Sequence, residues 1–239
     1  MTASGPTSLG GALRQIGGLT AVSRVTGFAR DIAFASSLGA GPAADAFLVA
    51  LKLPNMFRRL SAEGAMTNAF LPNFTREQKS KGRRAALGLA AEAQIFLILI
   101  LFLLVVVAEI FMPRLILILA PGFANTPERL AAAIDLARIT MPYLPIISVV
   151  ALWGAIANAH DRFFAAAAAP IVINICFIAG AVAIPLVAAE AGVKQAFPVA
   201  IGLLVGGLLQ LLLLFCVLRR LDALPALIWP RLSAAGRKM

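Results

Sequence analysis

Between Ser23 and Asp31 the sequence reads SRVTGFARD, which puts two arginines and an aspartate inside an otherwise apolar run. On a helix at 100° per residue, Thr20, Ser23, Arg24, Gly27, Arg30 and Asp31 fall within about a third of the circumference. Phe28 lies just outside that arc and Ile32 well outside it. Arg24 and Arg30 are then about 9 Å apart along the axis. A second set follows. Asp45, Lys52 and Arg59 recur every seven residues and share a face, Glu63 returns to that side, and Asn55 lies nearby. Arg58 points away on an ideal helix, but Pro54 makes the wheel unreliable beyond it. Asp45 to Glu63 spans about 27 Å of helix.

These residue types bind anions. Arginine stays charged at any physiological pH and grips phosphate oxygens through two N–H groups at once. From Arg24 to Glu63 there are five basic residues (Arg24, Arg30, Lys52, Arg58, Arg59) and three acidic ones (Asp31, Asp45, Glu63), so a cavity lined by all of them carries +2. Ionisable groups at membrane depth usually face a bundle interior or a wet cavity. Structural ion pairing, or snorkelling of side chains near helix ends, is the competing reading.

Signs of bond-making chemistry are missing from this sequence. His160 is the one histidine, so a histidine metal site lacks ligands. There is no G-x-x-x-x-G-K-[ST] phosphate loop and no G-x-S-x-G elbow. No catalytic residue, metal or cofactor is expected. Cys176 and Cys216 sit within apolar runs and read as small core residues rather than a disulfide framework.

The elements that must position the charges are membrane helices. The chain has 239 residues, 61% of them hydrophobic, and a mean hydropathy of +0.92. Ile139–His160, Phe163–Ala189 and Gln195–Leu218 contain no charged residue, and Ala93–Ala108 is a shorter clean run. About 20 apolar residues span a bilayer core. The pattern predicts an all-α polytopic membrane protein with six transmembrane helices, at about 12–38, 43–74, 85–112, 130–158, 166–189 and 196–218. These make one lobe over 1–221, with 222–239 as a linker.

Arg76–Arg84, with five basic residues and one acid, reads as a loop. The net charge of +10 lies mostly in such loops and in the tail, which fits a topology signal better than nucleic-acid binding. The basic side belongs in the cytoplasm, and both termini with it. No cleavable leader is apparent, so insertion falls to the first helix. Gly202 and Gly206 form a G-x-x-x-G, a spacing that lets two helices approach closely.

The stretch Ser23–Phe74 resembles the start of the MurJ (MviN) lipid II flippase family. It carries S-R-x-x-G-F-x-R-D, G-A-G-x-x-x-D-A-F, K-L-P-N-x-x-R-R and A-E-G-A in order. Ala120–Phe123 (APGF), Asp161–Phe163 (DRF) and the Ala-Pro…Asn of Ala169–Asn174 fit too. The resemblance implies the multidrug/oligosaccharidyl-lipid/polysaccharide exporter superfamily, whose members here usually have two six-helix lobes plus two further helices. It implies transport of lipid II, the undecaprenyl-diphosphate-linked disaccharide-peptide, across the bacterial inner membrane by alternating access.

By motif, the substrate-binding positions of the family fall on Ser23, Arg24, Arg30, Asp45 and Arg58, with Asp31, Lys52, Arg59 and Glu63 as possible supporting charges. The family favours Arg58 where the wheel favours Arg59. Partners implied are lipid II, membrane lipids and a second lobe, or a second copy of this chain, to complete the cavity. Export of another polyprenyl-linked glycan, or a non-transporting scaffold that binds a partner helix through Gly202 and Gly206, are the alternative functions.

Overall fold

The computed structural model describes residues 9–58, 70–187, 195–227 and 229. Its elements are α1 (Leu9–Leu38), α2 (Pro42–Arg58), α3 (Leu71–Lys81), α4 (Arg83–Leu119), α5 (Pro127–Thr140), α6 (Tyr143–Ala159), α7 (Phe163–Val187) and α8 (Phe197–Arg220), with a short 3-10 turn at Pro121–Asn125. No strand occurs among the described residues.

Local chemistry sets the breaks. Gly39 ends α1 at φ 61, with its N–H on the Ala35 carbonyl. That left-handed conformation is one glycine reaches without strain. Pro42 then opens α2, where its missing N–H removes no helix bond. Gly82, at φ 85, separates α3 from α4. Met141 and Pro142 separate α5 from α6. Pro142 has no N–H for the helix ladder, and the chain turns instead through a bond from the Leu144 N–H to the Met141 carbonyl.

Four stretches among the described residues are long and apolar enough to cross a membrane: Arg83–Leu119, Pro127–Ala159, Phe163–Leu186 and Phe197–Arg220. The 37 residues of α4 extend about 55 Å, well beyond a hydrocarbon core of about 30 Å. Ile100, Phe102, Leu103 and Ile110 of α4, and Ile201, Leu208 and Leu212 of α8, are exposed. An apolar surface this wide is matched by lipid, not water. At 30 residues α1 has the length, but Arg14, Arg24, Arg30 and Asp31 lower its hydropathy.

Several expected boundaries differ from those found. The segment Arg76–Arg84 is not a loop. It is the end of α3 and the start of α4, interrupted only at Gly82. Its charges are the outer face of an amphipathic helix whose inner face buries Phe70 and Phe74, with Lys81 and Glu77 paired at 2.8 Å one turn apart. The helix expected over 43–74 is α2 followed, beyond the undescribed 59–69, by α3. The helix expected over 130–158 is two, α5 and α6. Cys216 is exposed rather than in the core, and both cysteines are free thiols.

The core forms two clusters, one toward each end of the bundle. Phe47, Leu53, Met112, Ile116, Leu136 and Leu144 belong to the first. Phe70, Phe74, Leu152, Trp153, Ile156 and Leu214 belong to the second. Polar groups tie helices together: in the core Trp153 donates its indole N–H to Gln94 at 2.7 Å, and at the surface Arg83 donates to the Leu221 carbonyl, joining the start of α4 to the end of α8.

α7 is the central helix, packed between α1 and α8. Glycines set the α7–α8 spacing. A Cβ on Gly202 would lie 2.6 Å from the Cys176 carbonyl oxygen, and one on Gly180 would lie 2.6 Å from that of Pro198. A Cβ on Gly206 would instead meet the Ile173 side chain at 2.6 Å and its Cα at 3.2 Å. The G-x-x-x-G is thus used up inside the chain, which leaves a partner-helix scaffold without its docking glycines. Because the obstructing atoms are backbone, Gly202→Val is expected to destabilise the fold by about 1–3 kcal/mol. The lipid-facing Leu212→Ala should change the melting temperature little. Thermal unfolding in detergent compares the two, and an unshifted Gly202→Val contradicts the packing account.

Candidate functional site

A cavity of about 550 Å³ opens between α1, α2, α6, α7 and α8. From α1 it is lined by Ser23, Arg24, Gly27, Arg30 and Asp31. The opposite face of α1 exposes Val22, Val25 and Ile32. Over this stretch the helix is therefore two-sided, polar toward the cavity and apolar toward the outside.

Arg30 is the best-anchored charge. Its Nε and Nη2 donate to Asp31 Oδ1 at 3.0 and 2.8 Å, and its Nη1 donates to Asn174 Oδ1 at 3.1 Å. The guanidinium also lies 5.5 Å from the centre of the Phe177 ring, where the ring's negative face attracts it. Phe177 is braced by Phe34 and Phe47, with centroid distances of 5.9 and 5.7 Å.

The Asp31 pair alone is weak support, because the aspartate is 66% exposed and water screens it. Asn174 is the firmer anchor. It is 5% exposed, and its amide N–H groups donate to the Ser23 carbonyl and to Thr26 Oγ1, both at 3.2 Å. Those two acceptors fix which way the amide faces, and so aim its oxygen at Arg30.

Arg24 lines the same cavity, is exposed, and makes no ion pair among the described residues. The described charges of the wall are thus two arginines and one aspartate, a net charge of +1 rather than +2. The α2 residues of the sequence stripe are placed differently. Asp45 sits in the first turn of α2 and pairs with Arg129 Nη1 on α5 at 3.5 Å. Lys52 is exposed and does not line the cavity. What α2 turns inward is Phe47, Leu48, Leu51, Pro54 and Asn55, a face roughly 100° round from Asp45 and Lys52. Arg58 ends α2; its side chain, Arg59 and Glu63 lie outside the described residues.

Sequence reasoning missed Asn174, Phe177 and Gln210 as individual site residues. Asn174 entered only as part of a motif. Both amides could have been found by chemistry alone, since each is a strongly polar side chain within a long apolar, charge-free run and must meet a partner when buried.

The family model for Lipid II flippase MurJ matches residues 34–239. A protein of Rhizobium meliloti (strain 1021) named "Probable lipid II flippase MurJ" is 36% identical over 225 residues, covering 94% of this chain and 42% of that protein. "Lipid II flippase MurJ" of Burkholderia cenocepacia is 35% identical over 214 residues, covering 90% of this chain and 41% of its own. A solved structure of "Lipid II flippase MurJ, inward closed conformation" superimposes with a TM-score of 0.69 at 25% identity, over 86% of this chain and 42% of that one. The chain spans about two fifths of the length of these relatives.

The Asn174–Arg30 contact makes a quantitative demand. A double-mutant cycle with Arg30→Ala and Asn174→Ala should give a coupling of about 0.6–1.5 kcal/mol in unfolding free energy, the range for interhelical hydrogen bonds in membranes. Additive losses contradict the described bond.

Proposed function

This chain belongs to the lipid II flippase MurJ family, and from that premise we propose that it forms the N-terminal lobe of a lipid II flippase. In this reading α1 to α8 make one lobe over 1–221, residues 222–239 lead to a second lobe, and the two close on a shared central cavity. The protein makes and breaks no covalent bond. It carries the undecaprenyl-diphosphate-linked disaccharide-peptide across the bacterial inner membrane, with both termini of this lobe on the cytoplasmic side.

The observation that carries the reading is the α1 wall: Arg24 and Arg30 line a cavity while the back of the same helix is apolar. A diphosphate is the anion such a pair suits. Arg24 makes no ion pair among the described residues, and Arg30 presents N–H groups beyond those given to Asp31 and Asn174. Ser23 sits one residue before Arg24 and contributes a hydroxyl. Arg58 completes the cationic set by family position. The lipid tail stays in the bilayer while the headgroup crosses in the wet cavity, and the lobes rock about it.

Asp45 takes a different part from the one its position first implied. Paired with Arg129, it holds α2 to α5 in this conformation, so it reaches the diphosphate only if that pair breaks. No nucleotide-binding loop is present in the sequence, so the driving force in this reading is a membrane potential, an ion gradient or the substrate gradient.

The test is rescue of cells depleted of their own flippase by a two-lobe protein carrying this lobe. Arg24→Ala, Arg30→Ala and Arg58→Ala should each abolish rescue. Val25→Ala and Ile32→Ala, on the apolar back of α1, should rescue normally. Arg30→Lys should fall between, because it keeps the charge and loses the two-pronged grip. Normal rescue by well-expressed arginine variants overturns the reading.

A further inference from the structure

The cavity has a second kind of polar group, on α8. Gln210 lines it from the side opposite α1 and is 2% exposed. Its Nε2 donates to the Ala169 carbonyl of α7 at 2.6 Å. A carbonyl can only accept, so that bond fixes the amide: nitrogen toward α7, oxygen away from it. The oxygen, Oε1, is buried and has no hydrogen-bond partner. Buried side-chain acceptors are rarely left in that state, and each exception asks for a donor. One turn earlier, Gly207 leaves room for the ring of Tyr143, which a Cβ there would meet at 2.8 Å. Tyr143 also lines the cavity. This wall therefore holds one oriented acceptor, closed off in this conformation and reached by a donor only as the cavity widens, beside an aromatic ring, and no charge.

We propose that Gln210 Oε1 is the subsite for an uncharged donor, a hydroxyl or amide N–H on the sugar joined to the diphosphate. The donor belongs to that sugar because Arg30 and Gln210 line the same cavity of about 550 Å³, so a group that reaches both lies next to the phosphates. A neutral acceptor selects against bare anions, which bring no proton to it. It makes the cavity a reader of the headgroup as well as a counter-charge. The inference rests on the diphosphate reading of Arg24 and Arg30.

The experiment measures binding of three lipids to a two-lobe protein carrying this lobe, in nanodiscs: undecaprenyl diphosphate, undecaprenyl diphosphate bearing one N-acetylated sugar without peptide, and lipid II. Gln210→Met removes the acceptor at nearly constant volume. It should weaken the two sugar-bearing lipids about tenfold and undecaprenyl diphosphate less than twofold. If Gln210→Met does not fold, Gln210→Asn keeps the amide and withdraws its oxygen by one methylene, and should weaken the same two lipids about threefold.

Three results overturn the proposal. An equal loss for all three lipids means that Gln210 merely ties α8 to α7. No loss for any means that water satisfies Oε1. A loss for lipid II alone places the donor in the peptide. Arg30→Ala tests the underlying reading separately, since it should weaken all three lipids. If it weakens none, the diphosphate reading fails whatever Gln210 does.

Discussion

A guanidinium at membrane depth needs partners on every side that water does not reach, and Arg30 sets that requirement for the rest of this structure. A lone arginine at the centre of a membrane helix costs about 2.5–3.5 kcal/mol on insertion scales. Asp31 lowers the local charge, the Asn174 oxygen accepts one N–H, and the Phe177 face covers one side. Asn174 and Phe177 are both on α7, so α1 must lie against α7. α7 can serve that role only because Gly180, Gly202 and Gly206 bring α8 to its other side. One charged side chain thus links the polar stripe of α1 to the small-residue seam between two other helices.

The two sides of the cavity differ in kind. The α1 side is cationic and open to solvent, with Arg24 and Asp31 exposed. The α8 side is neutral and buried, with Gln210 held in one orientation. Such a division suits a ligand that is anionic at one point and hydroxylated beside it. Away from the cavity, Asp45–Arg129 and Glu109–Arg138 join α5 to α2 and α4, so that several of the charges evident in the sequence hold helices together instead of facing the ligand.

The α1 stripe was legible because a straight helix obeys the wheel: Ser23, Arg24, Gly27, Arg30 and Asp31 do face one cavity. The all-helical membrane class was legible from charge-free runs such as Phe163–Ala189. The stripe on α2 misled because residues spaced by seven share a face without that face having to point at the ligand. Asp45 had a nearer partner in Arg129, which sequence distance concealed. The Arg76–Arg84 loop misled because a run of charges marks exposure, and a helix with one buried face is exposed on the other. The break at Met141–Pro142 was passed over although Pro142 and the change from a charged helix (Glu128, Arg129, Asp135, Arg138) to a charge-free one both mark it. Asn174 and Gln210 were passed over because neither is charged, although a buried amide is constrained nearly as tightly.

The central claim is that the α1 stripe faces a wet, diphosphate-accepting cavity while the back of the helix faces lipid. The most direct measurement is thiol labelling from the aqueous phase in a protein with Cys176 and Cys216 replaced by alanine. Single cysteines would be placed at Ser23 and Gly27 on the stripe, and at Val25 and Ile32 on the back. Ser23→Cys is nearly isosteric, and a side chain at Gly27 meets Asn174 Nδ2 at an ordinary 3.5 Å. The account predicts that positions 23 and 27 label rapidly, that added undecaprenyl diphosphate protects them, and that positions 25 and 32 stay unlabelled. Labelling of the back, or a stripe that labels without protection by the diphosphate, would contradict it.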